Sequence, residues 1–254
     1  MNESDNNSDH ISERASDQIY STPQERIRDF VFDENVAKVF EDMISRSAPG
    51  YSTIVSHIGV MARHFVQPNT RIYDLGCSLG ACSLVINQMV EVDGCELIAV
   101  DTSEAMVSRC TESLQKAGHR FPVSVQQADI LELDISNASL VILNFTLQFI
   151  EKGVREALLK KIYDGLVDGG ALVLSEKLAF NHNSEQELMI KLHHDFKRAN
   201  GYSDLEIAQK RAAIENVLIP ETSGEHICRL EKVGFSNVYS WFRCLNFASF
   251  LAIK

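Results

Sequence analysis

The stretch Arg71-Ile-Tyr-Asp-Leu-Gly-Cys-Ser-Leu-Gly80 decides the fold of this chain. Residues 70–75 are apolar and rich in β-forming side chains, which predicts a short buried strand that breaks at Gly76. Apolar helical spacing begins near Leu79, so the glycines join a strand to the first turn of a helix. Glycine lets the backbone approach a ligand closely, and the free N–H groups of a helix N-terminus carry a partial positive charge. The turn therefore predicts a nucleotide-like ligand.

An acidic residue at the tip of the next predicted strand supports this interpretation. Residues 96–101 have the pattern of that strand, and Asp101 follows Gly80 by 21 residues. An acid at about this spacing, at the tip of the second strand, is placed to bind both hydroxyl groups of a ribose.

Strand and helix patterns alternate through most of the chain. Ser103 is a predicted cap for the helix after Asp101, a second helix is predicted at 153–166, and residues 168–170 form a predicted turn. Further strands are predicted at residues 123–128, 139–144, 171–175, 235–242 and 245–253. The alternation is typical of an α/β fold whose parallel sheet has helices on both faces, and the last two strands, joined by a short connection, are antiparallel to each other.

The rest of the chain divides into a tail, two cap helices and an insertion. Residues 1–25 are polar and predict a disordered tail, and residues 26–254 predict a single α/β domain. Two helices, one from Asp33 and one from Tyr51, precede the first strand and can cap the sheet or cover its ligand. Tyr51 lies at the hinge between them, where it either packs or contacts the ligand. A polar helical insertion at about 182–217 separates the fifth strand from the last two.

The composition limits the compartment and the partners. The 254 residues are 45% hydrophobic and 23% charged, and no apolar run reaches the length of a membrane span. With no signal pattern at the N-terminus and six scattered cysteines, we expect a cytoplasmic protein with reduced, mostly buried thiols. The net charge of −11 argues against direct binding of nucleic acid, because proteins that bind it alone usually carry a basic face.

One arginine in the insertion stands out. Ile207, Arg211, Ile214 and Leu218 are spaced to share one face of a helix, so Arg211 is predicted to interrupt an apolar stripe. A buried guanidinium needs an anion, because it cannot lose its proton. The anion is either the carboxylate of a ligand or a structural acidic partner, unless the stem carries the charge out to solvent.

Two other enzyme classes fit the glycine stretch less well. Gly76-x-Ser78-x-Gly80 matches the nucleophile elbow of α/β hydrolases, with Asp195 and His226 downstream, but few strands precede it and no oxyanion segment is recognisable. The glycines also lack the spacing of a nicotinamide-binding turn.

The acid before the turn narrows the ligand further. Asp74 would repel a phosphate but can hold an ammonium group. The ligand is therefore a nucleoside with an amino-acid tail and no phosphate, a description that S-adenosyl-L-methionine meets.

The chain from about residue 70 to 254 resembles the class I S-adenosylmethionine-dependent methyltransferases, with their Rossmann-like fold. It also resembles, from Phe32 onward, the bacterial carboxy-S-adenosyl-L-methionine synthase family. The strings that carry this closer likeness lie at 46–52, 73–80, 143–149, 169–177 and 193–203. It implies a seven-stranded, mostly parallel sheet and a homodimer. The contacts with S-adenosylmethionine that it implies come from Tyr51, Gly76, Cys77, Ser78, Asp101, Thr102, Asp129, Ile130, Asn144 and Arg211.

The resemblance also implies a reaction that is not methylation. The family converts S-adenosylmethionine and prephenate into carboxy-S-adenosylmethionine and phenylpyruvate, without a metal. A tRNA carboxymethyltransferase then uses the product to make uridine-5-oxyacetic acid at the wobble position. Thr102 stands where the family can have Asn, which affects only hydrogen bonds to the adenosyl group.

In this interpretation Arg211 is the catalytic residue that receives the new carboxylate. A fixed guanidinium in a site closed to water stabilises developing negative charge. The alternatives are an ordinary methyltransferase of a small molecule or a protein, and a module that binds the cofactor without catalysis.

Overall fold

Seven strands form a single sheet in the computed structural model, which describes residues 15–254. They are β1 (Arg71–Leu75), β2 (Glu96–Asp101), β3 (Val123–Gln127), β4 (Ala138–Asn144), β5 (Leu166–Lys177), β6 (Asn237–Cys244) and β7 (Phe247–Ile253). Their order across the sheet is β3-β2-β1-β4-β5-β7-β6, with β1 to β5 parallel and β7 antiparallel to both of its neighbours. The predicted seven-stranded, mostly parallel sheet is confirmed.

Helices cover both faces of this sheet. They are α1 (Glu34–Ser47), α2 (Tyr51–Phe65), α3 (Ala81–Met89), α4 (Glu104–Ala117), α5 (Lys152–Gly165), α6 (Asn183–Ala199), α7 (Asp204–Ile214) and α8 (Ser223–Val233). A 3-10 turn spans Leu147–Phe149. Neighbouring residues of β1 point to opposite faces: Ile72 packs with α2 and α3, and Tyr73 packs with α5 and α8.

The cap residues explain why the predicted helix starts are correct. Asp33 Oδ1 accepts from the Val36 N–H at 2.9 Å, and Ser103 Oγ accepts from the Met106 N–H at 3.2 Å. Each side chain satisfies a backbone donor that has no partner within the first turn of a helix. These contacts are local in sequence, which is why the sequence predicts them.

Part of the predicted tail is packed instead of disordered. Residues 1–14 lie outside the described residues, but Asp17 and Tyr20 are buried, with 2% and 8% of their surface exposed. Tyr202 Oη donates to Asp17 Oδ2, and Gln209 Nε2 donates to the Tyr20 carbonyl at 2.9 Å. The predicted boundary at residue 25 is therefore wrong, because the side chains around α7 supply partners for a polar segment.

Two other elements differ from the sequence prediction. The predicted turn at 168–170 lies within β5, where the pairing moves from Ala138–Leu166 to Leu140–Ala171 and residues 167–170 bulge out of the ladder. The helix α8 was not predicted, although Thr222 and Glu225 form a capping box at its start. Within residues 15–254, no helix is both long and apolar enough to cross a membrane.

Candidate functional site

The glycine turn connects β1 to α3 through backbone that only glycine adopts easily. Gly76 and Gly80 have φ angles of 83° and 85°. A Cβ on Gly76 would lie 2.3 Å from Thr146 Oγ1, so no other residue fits there. The N–H groups of Gly76 and Cys77 both donate to the Val100 carbonyl, at 2.8 and 2.9 Å, and fix the turn to the end of β2.

Asp101 holds the same turn from the tip of β2. Its Oδ2 accepts from the Ser78 N–H at 3.0 Å, and its Oδ1 accepts from the Ser103 N–H at 2.9 Å. Burial raises the pKa of Asp101, while these backbone donors act in the opposite direction. Each carboxylate oxygen has lone pairs left, so the geometry suits a ligand with two neighbouring hydroxyl groups.

Ser78 does not have the environment of a hydrolase nucleophile. Its Oγ donates to Met106 Sδ at 3.5 Å, and in the described part of the chain no histidine accepts a hydrogen bond from it. Its φ angle of 50° is set by the turn and by the bond from its N–H to Asp101. The strained backbone thus serves the shape of the turn.

Asp74 is a buried carboxylate in β1, two residues before the glycine turn. The side chain is 1% exposed and accepts from Ser83 Oγ at 2.6 Å. Burial raises the pKa of Asp74 to about 6, opposed by the hydrogen bonds from Ser83, so the carboxylate is mostly ionised at neutral pH. A buried carboxylate without an ion pair among residues 15–254 suits a ligand ammonium group.

Asn144, at the end of β4, has an unused acceptor. Its Nδ2 donates to Cys82 Sγ at 3.4 Å, whereas its Oδ1 is buried with no hydrogen-bond partner among the described residues. A buried acceptor left unpaired costs about 1–3 kcal/mol. A donor on a bound ligand would satisfy it.

Tyr51, the first residue of α2, lies beside Phe145, the residue that follows Asn144. Its ring centroid is 6.2 Å from that of Phe145, and the φ angle of Phe145 is 62°. Burial raises the pKa of Tyr51 strongly, and Cys82 and Asp74 add to this rise. The phenol is therefore neutral and can donate a hydrogen bond beside the Asp74 carboxylate.

Three more predicted contacts lie at the outer edge of the site. Thr102 is exposed and its carbonyl accepts from Gln127 Nε2 at 3.1 Å, while Asp129 Oδ1 accepts from the Leu131 N–H at 2.8 Å. Ile130 is 4% exposed and packs in the core beneath them. All the predicted contacts from Gly76 to Asn144 therefore follow the carboxyl ends of β1 to β4, which is where ligands bind in open α/β sheets.

The position of Arg211 differs from the prediction. Arg211 is exposed, because α7 ends at Ile214 and buries Ile207, Lys210 and Ala213 instead. Leu218 lies beyond the helix, so the predicted apolar stripe does not form. Even so, the positive charge of Arg211 contributes, after burial, to a lowered pKa of Lys177 at the end of β5. Arg211 is therefore near the carboxyl edge of the sheet but is not enclosed there in a single chain.

The structure also shows a group of basic residues beside the site that the sequence analysis does not predict. Lys177 ends β5, and His193 and Lys197 lie one turn apart on the buried side of α6. The signal in the sequence was a lysine at a strand tip, together with a histidine and a lysine spaced by four residues.

The six cysteines agree with the prediction of reduced thiols. All six are free; Cys77, Cys82, Cys95 and Cys110 are buried. Among residues 15–254, no three His, Cys, Asp or Glu side chains are grouped in a way that could hold a metal ion.

The order of the strands and the position of the site are those of the class I S-adenosylmethionine-dependent methyltransferases. The family model described as a methyltransferase domain matches residues 72–170. A solved structure of a S-adenosylmethionine-dependent methyltransferase from Methanococcus maripaludis superposes with a TM-score of 0.57 at 18% identity, covering 92% of this chain and 97% of that one. Human N-acetylserotonin methyltransferase superposes with a TM-score of 0.58 at 15% identity, covering 92% of this chain and 61% of that one. At these identities the structures show the fold alone.

Relatives of known name give the particular family. The carboxy-S-adenosyl-L-methionine synthase of Vibrio parahaemolyticus is 55% identical over 238 residues, covering 94% of this chain and 97% of that protein. The synthase of Yersinia pestis is 49% identical over 254 residues, covering 100% of this chain and 95% of that protein. The chain belongs to the carboxy-S-adenosyl-L-methionine synthase family, and it is an enzyme of the transferase class.

Proposed function

We propose that the enzyme converts S-adenosylmethionine and prephenate into carboxy-S-adenosylmethionine and phenylpyruvate. The observation that carries this proposal is the identity of about half of all residues, over nearly the whole chain, with enzymes named for that product. The site described above supports it, because its donors and acceptors match a nucleoside with an amino-acid tail.

Different residues at the carboxyl edge of the sheet would bind different parts of the cofactor. Asp101 would bind the ribose hydroxyls, and Asp74 would attract the ammonium group of the methionine tail. Asn144 Oδ1 would accept from a ligand donor, since it has no partner among residues 15–254. Tyr51 would donate from the opposite wall. The backbone of Gly76, Cys77 and Ser78, with Thr102, Asp129 and Ile130, would complete the cleft.

The chemistry exploits the sulfonium charge of the cofactor. In prephenate the bond between the ring and its carboxylate breaks, the ring becomes aromatic, and hydroxide leaves from the opposite ring carbon. That hydroxide removes a proton from the S-methyl group and becomes water. The resulting ylide carbon attacks the released carbon dioxide and forms the new carbon–carbon bond, so no side chain is required as the base.

Arg211 would stabilise the new carboxylate through a bidentate pair. Because Arg211 is exposed in the single chain, this role requires α7 to close on a site, and we propose that it closes on the site of a second copy in a homodimer. Leu188 and Leu192 on α6 and Leu205 on α7 support the proposal, since they expose 51%, 37% and 38% of their surface. Apolar side chains exposed on both helices of the insertion suit a subunit interface.

The product would serve the tRNA modification as a diffusible substrate. The net charge of −11 favours a division of labour in which a separate carboxymethyltransferase binds the tRNA and this enzyme binds no nucleic acid directly. We place the enzyme in the cytoplasm, where both would meet.

Mass spectrometry of the reaction mixture tests the proposal. Purified enzyme with S-adenosylmethionine and prephenate should yield a carboxylated sulfonium and an equal amount of phenylpyruvate. The second candidate function is ordinary methyl transfer, which the match to a methyltransferase domain favours; it would yield S-adenosylhomocysteine instead. Recovery of unchanged S-adenosylmethionine from protein that binds it would indicate a module without catalysis.

A further inference from the structure

Two lysines beside the site, Lys177 and Lys197, have ammonium groups with no partner in the part of the chain that the structure describes. Lys197 is 9% exposed and Lys177 is partly buried. Among residues 15–254, neither Nζ atom has a hydrogen bond or an ion pair. The neighbouring Lys210 is different, because its Nζ lies 3.7 Å from Asp17 Oδ2 and 3.0 Å from Ser47 Oγ. Unpaired buried charge is costly, so a ligand anion that supplied the counter-ion would be stabilised here.

The two lysines flank the same aromatic ring. Lys177 ends β5 directly opposite Phe247 of β7, so the side chains of this cross-strand pair leave the same face of the sheet. The Phe247 ring centroid is 5.1 Å from that of His193, whose Nε2 lies 2.8 Å from the Ser47 carbonyl oxygen. Lys197 is one turn beyond His193 on the same side of α6. Lys177 and Lys197 thus approach Phe247 from the sheet and from the helix.

This basic pair (Lys177 and Lys197) is continuous with the cofactor cleft. The Phe247 ring is 5.8 Å from Phe145, which follows Asn144 and lies beside Tyr51. Ser175, two residues before Lys177, is the register partner of Asn144. The aromatic rings form a wall that runs from the predicted adenosyl site to the basic pair.

The charges around the pair favour an anion. Burial, followed by the positive charges of Lys210, Lys177 and Arg211, lowers the pKa of Lys197 to about 7. Burial, then Lys197 and Lys177, lower the pKa of His193 to about 3, so the imidazole is neutral. Burial and Arg211 lower the pKa of Lys177. Among residues 15–254, the charges that lower the two pKa values are those of Arg211 and, for Lys197, also Lys210 and Lys177. All are positive, so an anion placed between the two lysines would be attracted.

We propose that Lys177 and Lys197 bind the co-substrate through the carboxylate that it retains after the reaction. This inference rests on the proposed function, in which prephenate carries one carboxylate on its ring and one on its pyruvyl side chain. A cation bound to the ring carboxylate would lose its ion pair as that group becomes neutral carbon dioxide. Such an ion pair would stabilise the substrate more than the transition state and would therefore slow the reaction. The pyruvyl carboxylate keeps its charge throughout, so the pair holds that group.

Steady-state kinetics test this role, because uniform binding changes KM more than kcat. Lys177→Met and Lys197→Met should each raise the KM for prephenate at least about tenfold and leave the affinity for S-adenosylmethionine unchanged. Lys191→Met is the matched control, since Lys191 is exposed on the same helix α6. Lys197→Arg should restore part of the affinity.

Thermal stability separates a ligand site from a structural role. Removing an unpaired buried charge should raise the melting temperature of each Met variant, by about 2–4 °C, whereas loss of a structural contact would lower it. A lower melting temperature with an unchanged KM would overturn the proposal.

Binding of phenylpyruvate separates this inference from the proposed function. Phenylpyruvate retains the pyruvyl carboxylate, so calorimetry with S-adenosylmethionine-saturated enzyme should show binding that both Met variants weaken at least about tenfold. Binding without any turnover of prephenate would refute the proposed function and leave the carboxylate site intact. Turnover with a KM and a phenylpyruvate affinity unchanged in both variants would refute the site. If the wild-type enzyme neither turned over prephenate nor bound phenylpyruvate, both the proposed function and the carboxylate site would be refuted.

Discussion

The carboxylate of Asp101 accepts a hydrogen bond from the backbone N–H of Ser78 at 3.0 Å, so the tip of β2 holds the glycine turn of β1 in place. Ser78 has a φ angle of 50°, which a residue with a side chain adopts at some cost. The same acid is the predicted ribose ligand. One residue therefore shapes the backbone side of the cleft and supplies its hydroxyl-binding oxygens.

Replacing Asp101 should affect ligand affinity and the turn together. We expect Asp101→Ala to weaken binding of S-adenosylmethionine at least about tenfold, because charged hydrogen bonds to the ribose are lost. Isothermal titration calorimetry measures the effect. Asp168→Asn is the control, since Asp168 is exposed at the opposite edge of the sheet. Equal affinity in Asp101→Ala and wild type would remove Asp101 from the site.

Arg211 should matter for the product more than for the cofactor. Arg211→Lys keeps the charge but loses the planar fork, so we expect S-adenosylmethionine to bind and little carboxylated product to form. The measurement is product formation by mass spectrometry beside a binding titration. Arg198→Lys is the control, because Arg198 is exposed and pairs with Asp195 and Asp204. Turnover equal to wild type would refute the role of Arg211.

Mixed dimers should show which subunit Arg211 serves. Chains with Asp101→Ala and chains with Arg211→Lys are each expected to be nearly inactive. If Arg211 acts on the partner's site, a mixed dimer contains one intact site, and coexpression should recover roughly a quarter of wild-type activity. No recovery, in a sample shown to contain mixed dimers, would place Arg211 at the site of its own chain.

The affinity for prephenate should fall as the pH rises. Lys197 has a pKa lowered to about 7 and binds an anion only when protonated, so KM should increase above that pH. The groups that act on it are Lys177 from β5 and Lys210 and Arg211 from α7. Because the unfolded chain binds more protons between this pKa and the ordinary lysine value, the free energy of unfolding should rise over the same interval.

The variant Lys197→Met provides the control for this pH dependence. Its KM should be high at every pH and should change less between pH 6 and about 8 than that of the wild type. Kinetics and chemical denaturation at matched pH values measure both quantities. A variant with the same pH profile as the wild type would assign the titration to another group.

Local signals allowed much of the fold to be predicted from the sequence. The strand before Gly76, the acid at position 101 and the capping residues Asp33 and Ser103 depend on neighbours in the chain, and the structure has each where it was expected. The helix α8 could also have been found, since Thr222 and Glu225 have capping-box spacing.

The features that were missed depend on contacts between distant segments. Arg211 is exposed because residues near Asp17 and Tyr20 pack on the other side of α7, and nothing within the helix sequence shows this. The burial of Lys197 likewise arises from the packing of α6. Helical spacing alone would predict that this lysine is exposed to solvent.

The fate of the ring carboxylate tests the central claim most directly. Prephenate labelled with carbon-13 in that group is incubated with the enzyme and S-adenosylmethionine, and the products are analysed by mass spectrometry. The mechanism predicts that the label appears in the new carboxylate of carboxy-S-adenosylmethionine, together with an equal amount of unlabelled phenylpyruvate. Label found only as bicarbonate in solution, with S-adenosylhomocysteine as the cofactor product, would contradict it.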